Sequence, residues 1–249
     1  MKIVGKSERG TVREKNQDSF LLLRADTCTL AVVCDGIGGG KAGEVASKTV
    51  VDQLKKSFMK RPDFASKDDM KKWFLKVIQD ANRQTALLAR SHEEYQGMGT
   101  TMVANLCHKQ WGIIGANVGD SRIYGLSLDN RLVLLSIDHS YVNELIKHGQ
   151  IDEKEALHHP YRHVLTNAMG ISPTINVDIF EIDNVYSKFL LCSDGLHGYV
   201  SEDLIYRVLK MDGDIDLMAQ QLIDLANQVG GFDNVTVIII DNNVGESYE

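Results

Sequence analysis

The chain has 249 residues and carries 34 acidic against 27 basic side chains, a net charge of −7 with a sequence pI near 5.6. That balance lacks the basic stripe that general nucleic-acid binding needs, and no apolar run reaches the length that spans a bilayer. Cys28, Cys34, Cys107 and Cys192 lie in apolar runs without CxxC spacing and without a signal peptide. They are expected as reduced core residues of a cytoplasmic protein. With three prolines, no low-complexity linker and no repeat, residues 1–249 are expected to form one domain.

In chain order, KIVGKSE, SFLLLR and CTLAVVCD predict strands, and helices follow over about 43–59 and about 68–90. The first helix repeats Ala46, Val50, Leu54 and Phe58 every fourth residue; the second aligns Met70, Phe74, Val77, Ile78, Ala81 and Leu88 on one face. TTMVANLCH, QWGIIGANVG, RIYGLSL and NRLVLLSI then succeed one another through short polar turns, the pattern of an antiparallel meander rather than of βαβ units. The stretch 141–167 is polar and His-rich without a clear period, and predicts a short helical insertion or flap. NVDIFEI and KFLLC predict further strands, helices follow over about 201–211 and about 214–229, and NVTVIIID closes the pattern. Helix pairs between blocks of strands predict an α+β fold: a central antiparallel β-sandwich flanked on both sides by helix pairs.

Acids recur where these strands end. Asp35-Gly36 closes one apolar run, Asp194-Gly195 closes another, Asp120 follows a third, and Asp233 precedes the last. Asp-Gly is strong hairpin chemistry, but a hairpin needs a second strand at once, and each of these pairs leads towards a helix. A lone Asp at such a place reads best as a cap or turn residue. Four placed alike can converge at one end of a sandwich, where strands lie only about 5 Å apart. Ionised carboxylates that close repel unless a cation holds them, and hard oxygen ligands select magnesium, manganese or calcium over zinc. Gly36, without a side chain, can bring its carbonyl near a metal held by Asp35.

Arg13 lies in a polar stretch five residues before Asp18, and beside a metal its planar fork suits a phosphate. His158, His159 and His163 lack helical metal-ligand spacing and read as surface or flap residues. GGGKAG at 38–43 matches a dinucleotide-binding glycine pattern, but a second helix rather than a parallel strand follows, and Lys41-Ala42 stands where a P-loop needs Gly-Lys.

The ordered set RGTVREKNQDSF, VVCDGIGGGKAGE, MGTT, NVGDSRIY, DHS, VLTNAMG, LLCSDGL and DNVTV resembles the metal-dependent Ser/Thr protein phosphatases of the PPM (PP2C-type) family, especially the compact bacterial type. The resemblance runs from about Ser7 to Asp241. It implies two Mn2+ or Mg2+ ions, with Asp35 bridging them, Gly36 binding the second through its carbonyl, and Asp194 and Asp233 completing the shell of the first. Asp18 would act as an outer ligand through water, Asp120 would hold a third, weaker ion, Asn234 would support the site and Arg13 would bind the substrate phosphate. A water shared by the ions would attack phosphorus directly, so no phosphoenzyme and no nucleophilic cysteine are needed.

The chain departs from the pattern at Ile37 and Gly40, where many relatives carry histidine, at Gln17, where many carry Glu, and at Asn167, where many carry Arg. The leaving alkoxide still needs a proton, and a metal-bound water or His163 is left to supply it. The implied partners are phosphorylated proteins and a cognate Ser/Thr kinase with its substrates, met by a monomer away from membrane and nucleic acid. The competing readings are a PPM-fold regulatory module that binds phosphoproteins with little or no turnover and, more distantly, a dinucleotide-binding oxidoreductase.

Overall fold

The computed structural model describes residues 1–40 and 42–242. The chain opens with β1 (Lys2–Glu8), β2 (Ser19–Arg24), β3 (Cys28–Cys34) and the two-residue β4 (Gly36–Ile37). Helices α1 (Ala42–Met59) and α2 (Lys67–Ser91) come next, then β5 (Gly99–Thr100), β6 (Met102–His108), β7 (Gly112–Val118), β8 (Arg122–Ser127) and β9 (Leu132–Leu134). The flap holds two short helices, α3 (Tyr141–Lys147) and α4 (Glu153–Leu157). β10 (Asp178–Ile182), β11 (Tyr186–Cys192), the single turn α5 (Asp194–His197), α6 (Glu202–Lys210), α7 (Ile215–Gln228) and β12 (Val235–Asp241) complete the order.

Two five-stranded antiparallel sheets result, ordered β1-β12-β11-β8-β9 and β10-β7-β6-β3-β2. β3 is buried along its whole length because both of its faces are covered. Leu30, Val32 and Cys34 meet the α1–α2 layer, while Ala31 and Val33 meet the opposite sheet. β12 does the same from the other side: Val235, Val237 and Ile239 pack with α6 and α7, and Ile238 and Ile240 fill the space between the sheets. Period-two side chains thus feed three apolar layers from two continuous hydrophobic runs. All four cysteines are free and buried in these layers.

The helices begin where local chemistry starts them. Ser66 accepts a hydrogen bond from the Asp69 amide at the head of α2, and Asp68 and Asp69 lie in its positive first turn. Asp152 and Glu155 close a reciprocal capping box on α4. None of the helices among the described residues is long and apolar enough to cross a membrane.

One expectation needs refinement. The run of strands β6 to β9 is not one meander: β6 and β7 belong to one sheet, β8 and β9 to the other. The chain crosses between sheets at 119–121, where Gly119 adopts φ +103° and lies so close to Thr101 that a Cβ would stand 2.7 Å from its side chain. This crossing puts Asp120 between the sheets, at the end where β3 and β11 also finish.

Candidate metal centre

At that end lies a cavity of about 750 Å³. Arg13, Asp35, Gly36, Asp120, Asp194, Asp233 and Asn234 all line it, together with His163 and Asn167 from the flap. Asp18 does not; it is 8% exposed and sits behind the cavity.

Hydrogen bonds from neighbouring segments fix Asp35, Asp120 and Asp18. The Asp35 amide donates to Thr101 Oγ1 at 3.0 Å, and its carbonyl accepts from the Thr101 amide at 2.9 Å and Thr100 Oγ1 at 2.8 Å. Thr101 Oγ1 also pairs with Ser121 Oγ at 2.7 Å, joining the Asp35 strand end to the crossing that carries Asp120. The Asp120 carbonyl accepts from His197 Nε2 at 2.9 Å. Asp194 opens α5 instead of simply ending β11, and a Cβ on Gly36 would collide with the carbonyls of Gly43 and Gln17. Glycine is therefore required at 36 by packing as well as by its place on the cavity wall.

Asp18 Oδ2 accepts from Ser193 Oγ and Thr236 Oγ1, both at 2.7 Å. Asn234 Nδ2 donates to the carbonyls of Arg9 and Lys15, and its Oδ1 accepts from the Gln17 amide at 2.8 Å. One buried amide thereby holds the whole loop that presents Arg13 and ends in Asp18. Arg13 Nη2 contacts Asp233 Oδ2 at 2.7 Å, so the expected phosphate anchor rests on an expected metal ligand. With the Arg13 side chain 52% exposed, this pair is worth at most about 1 kcal/mol and opens readily to an incoming anion.

Burial, the largest cause in each case, raises the pKa of Asp18, Asp35, Asp120 and Asp194, and neighbouring acids raise them further. Asp120 is pushed up to about 8 and Asp18 to about 7. Asp194 Oδ1 and Asp18 Oδ1 are buried without a hydrogen-bond partner. Orphaned carboxylate oxygens among mutually repelling acids are what a divalent cation would satisfy, and an all-oxygen donor set fits Mg2+ or Mn2+. Among the described residues, no three His, Cys, Asp or Glu side chains already form a closed metal cage. An ion that keeps several waters needs none.

These shifts set a pH dependence. A carboxyl whose folded pKa is raised costs nothing while protonated, and loses stability as pH climbs from its ordinary 3.8 through its folded value. In chelator, ionising these acids is expected to destabilise the fold progressively from about pH 4 to about pH 8, and a bound cation removes that cost. Thermal melts with chelator and with Mn2+ should therefore diverge as pH rises from 5 to 8; a constant gap would contradict the reading.

Several further residues of the motif segments act as positioners. Arg122 grips Asp138 through Nε and Nη2 at 2.8–3.1 Å. His139 Nδ1 accepts from the Gly119 amide at 3.2 Å, leaving Nε2 to donate to Asp178 at 3.0 Å. Asn167 Nδ2 reaches His139 Nδ1 and the Asn176 carbonyl. Gln17 Nε2 donates to the carbonyls of Gly38 and Gly40, a contact that a carboxylate could not make. In the glycine stretch 38–43, Lys41 lies outside the described residues; α1 follows it and α2 follows α1, without the parallel strand of a dinucleotide unit.

Acids, an arginine and a flap around one oxygen-lined cavity at the end of a β-sandwich define a candidate phosphoryl-transfer centre. The protein phosphatase 2C family model matches residues 5–227, and this chain belongs to that family. It is 36% identical over 241 residues to the serine/threonine phosphatase stp of Listeria welshimeri, covering 96% of this chain and 95% of that one. It is 33% identical over 238 residues to protein phosphatase PhpP of Streptococcus pneumoniae, covering 94% of each. The crystal structure of the serine/threonine phosphatase Stp1 from Staphylococcus aureus superposes with a TM-score of 0.89 at 38% identity, covering 96% of this chain and 94% of that one.

Proposed function

We propose that this protein hydrolyses phosphoserine and phosphothreonine in other proteins, and that two Mn2+ or Mg2+ ions serve it in the acid-lined cavity. The observation that carries this is the convergence of Asp35, Asp194, Asp233 and Asp120 on one cavity, with the pKa values of Asp35, Asp120 and Asp194 raised by burial and an orphaned oxygen on Asp194. Asp35 would serve both ions, Asp194 and Asp233 one of them, and the Gly36 carbonyl the other. Asp120 would hold a third ion more weakly, and Asp18 would act from behind through water. Bound there, the ions would activate a water and offset charge on the phosphoryl group.

The chain's own residues do the rest. Arg13 leaves Asp233 and takes two phosphoryl oxygens through its guanidinium fork. Asn234 keeps that loop in register, and the Thr100–Thr101 clamp fixes the Asp35 backbone from which the carboxylate projects. The serine or threonine oxygen that leaves must gain a proton, and His163 is the imidazole that lines the cavity. The retained acids favour an enzyme over a phosphoprotein-binding module. We read it as a monomeric, single-domain cytoplasmic protein that reverses the action of a cognate Ser/Thr kinase.

Release of inorganic phosphate from a phosphothreonine peptide tests the function. Turnover with Mn2+ or Mg2+ that stops on chelation is expected; tight peptide binding without turnover under any metal would favour the binding module.

A further inference from the structure

Beside Arg13 the surface turns apolar. Val12 is 61% exposed, Phe232 50% and Tyr199 38%, and each is tied to the catalytic cavity. Val12 adjoins Arg13 and Phe232 adjoins Asp233 in sequence, while Tyr199 lines the cavity itself. The Tyr199 and Phe232 rings lie 5.5 Å apart at a tilt of 37°. The ledge is also braced. The Thr11 and Val12 amides donate to the Gly231 carbonyl at 2.9 and 3.2 Å, and Thr11 Oγ1 donates to the Gly230 carbonyl at 2.6 Å. The Phe232 ring lies over Gly230, where any Cβ would strike it. Two chain segments far apart in sequence are thus stitched together to present Val12 and Phe232 to solvent, with Tyr199 from a third segment against the Phe232 ring, next to the arginine expected to hold phosphate.

We propose that Val12, Tyr199 and Phe232 form a specificity ledge that binds an apolar side chain within two residues of the phosphoserine or phosphothreonine of the substrate. This rests on the phosphatase reading and adds the class of sequence it acts on. Adjacent Cα atoms are 3.8 Å apart, and an extended peptide rises about 3.3 Å per residue, so a phosphate held by Arg13 leaves its near neighbours over this ledge. Rigid aromatics bury a partner's apolar area at little entropic cost, and a Leu, Ile, Met or Phe is the side chain that gains most there. A small aryl phosphate has no flanking residue and cannot reach it.

The test compares phosphothreonine peptides carrying Leu or Ser at each position within two residues of the phosphothreonine, alongside p-nitrophenyl phosphate. Wild type, Phe232→Ser and Val12→Ser are each loaded with Mn2+. The wild type is expected to favour Leu by about 10-fold in kcat/KM at one or more of those positions, mainly through KM. Both variants should lose that preference and keep aryl phosphate turnover within about twofold, since the ledge lies outside the chemistry. No preference in the wild type, or equal losses on peptide and aryl phosphate, would overturn the ledge. So would a dimer in sedimentation that Phe232→Ser dissociates, because the ledge would then be covered by a second copy. A wild type inactive even on p-nitrophenyl phosphate would instead remove the phosphatase reading, and the ledge with it.

Discussion

Asp194→Asn is expected to abolish metal-dependent turnover while making the chelated protein more stable. Asp194 opens α5 at the cavity wall with one oxygen buried and unpartnered, and burial and Asp233 together raise its pKa. An amide of the same size removes the buried charge, so in chelator the variant should melt higher than wild type at pH 8. The same change removes an oxygen donor that an ion needs. Turnover of a phosphothreonine peptide should fall by about 10³-fold or more, the scale of losing an electrostatic stabiliser of the transition state. Opposite signs for stability and activity are the signature of a functional carboxylate, because a structural one would lose both. Parallel losses would return Asp194 to the role of a helix-start residue.

His163→Gln is the second large effect, and it should depend on the leaving group. Phosphoserine and phosphothreonine release alkoxides, which leave poorly without a proton, whereas p-nitrophenolate leaves unaided. Ile37 and Gly40 supply no imidazole, and Tyr199, also on the wall, has its phenol pKa pushed up by burial and by Asp233 and Asp194. With His163 as donor, the variant loses about 10²-fold or more in kcat on phosphothreonine peptides and little on p-nitrophenyl phosphate. Free imidazole should restore part of the peptide activity. His158→Gln, in the same flap but away from the cavity wall, serves as the control. Equal losses on both substrates would make His163 a positioning residue or a contact for the phosphoryl group.

Much of the architecture was legible because hydrophobic period and chain order carry it. β3 and β12 read as buried strands from their uninterrupted apolar runs, and α1 and α2 from four-residue spacing. The crossing between sheets at 119–121 was not legible, since period-two alternation says which face a side chain takes and nothing about which sheet its strand joins. The site divides along similar lines. Acids at strand ends announced themselves by position, and the structure brings Asp35, Asp120, Asp194 and Asp233 to one cavity. Asp18 was harder to place: its sequence setting resembles the others, but Ser193 and Thr236 fold it behind the wall. The pairing of Arg13 with Asp233 spans 220 residues and is invisible to any local pattern. Nor does spacing reveal that Thr101, Ser121 and Asn234 are clamps, because each works through groups supplied by other segments, backbone for Thr101 and Asn234 and the Thr101 hydroxyl for Ser121.

The most direct test of the central claim is diffraction from crystals soaked in Mn2+, with anomalous maps that locate the ions without reference to activity. At least two strong peaks are expected in the cavity, bounded by the carboxylates of Asp35, Asp194 and Asp233 and the Gly36 carbonyl, with Arg13 withdrawn from Asp233. Peaks confined to surface carboxylates, with the cavity holding only water and the Arg13–Asp233 pair intact, would contradict that claim.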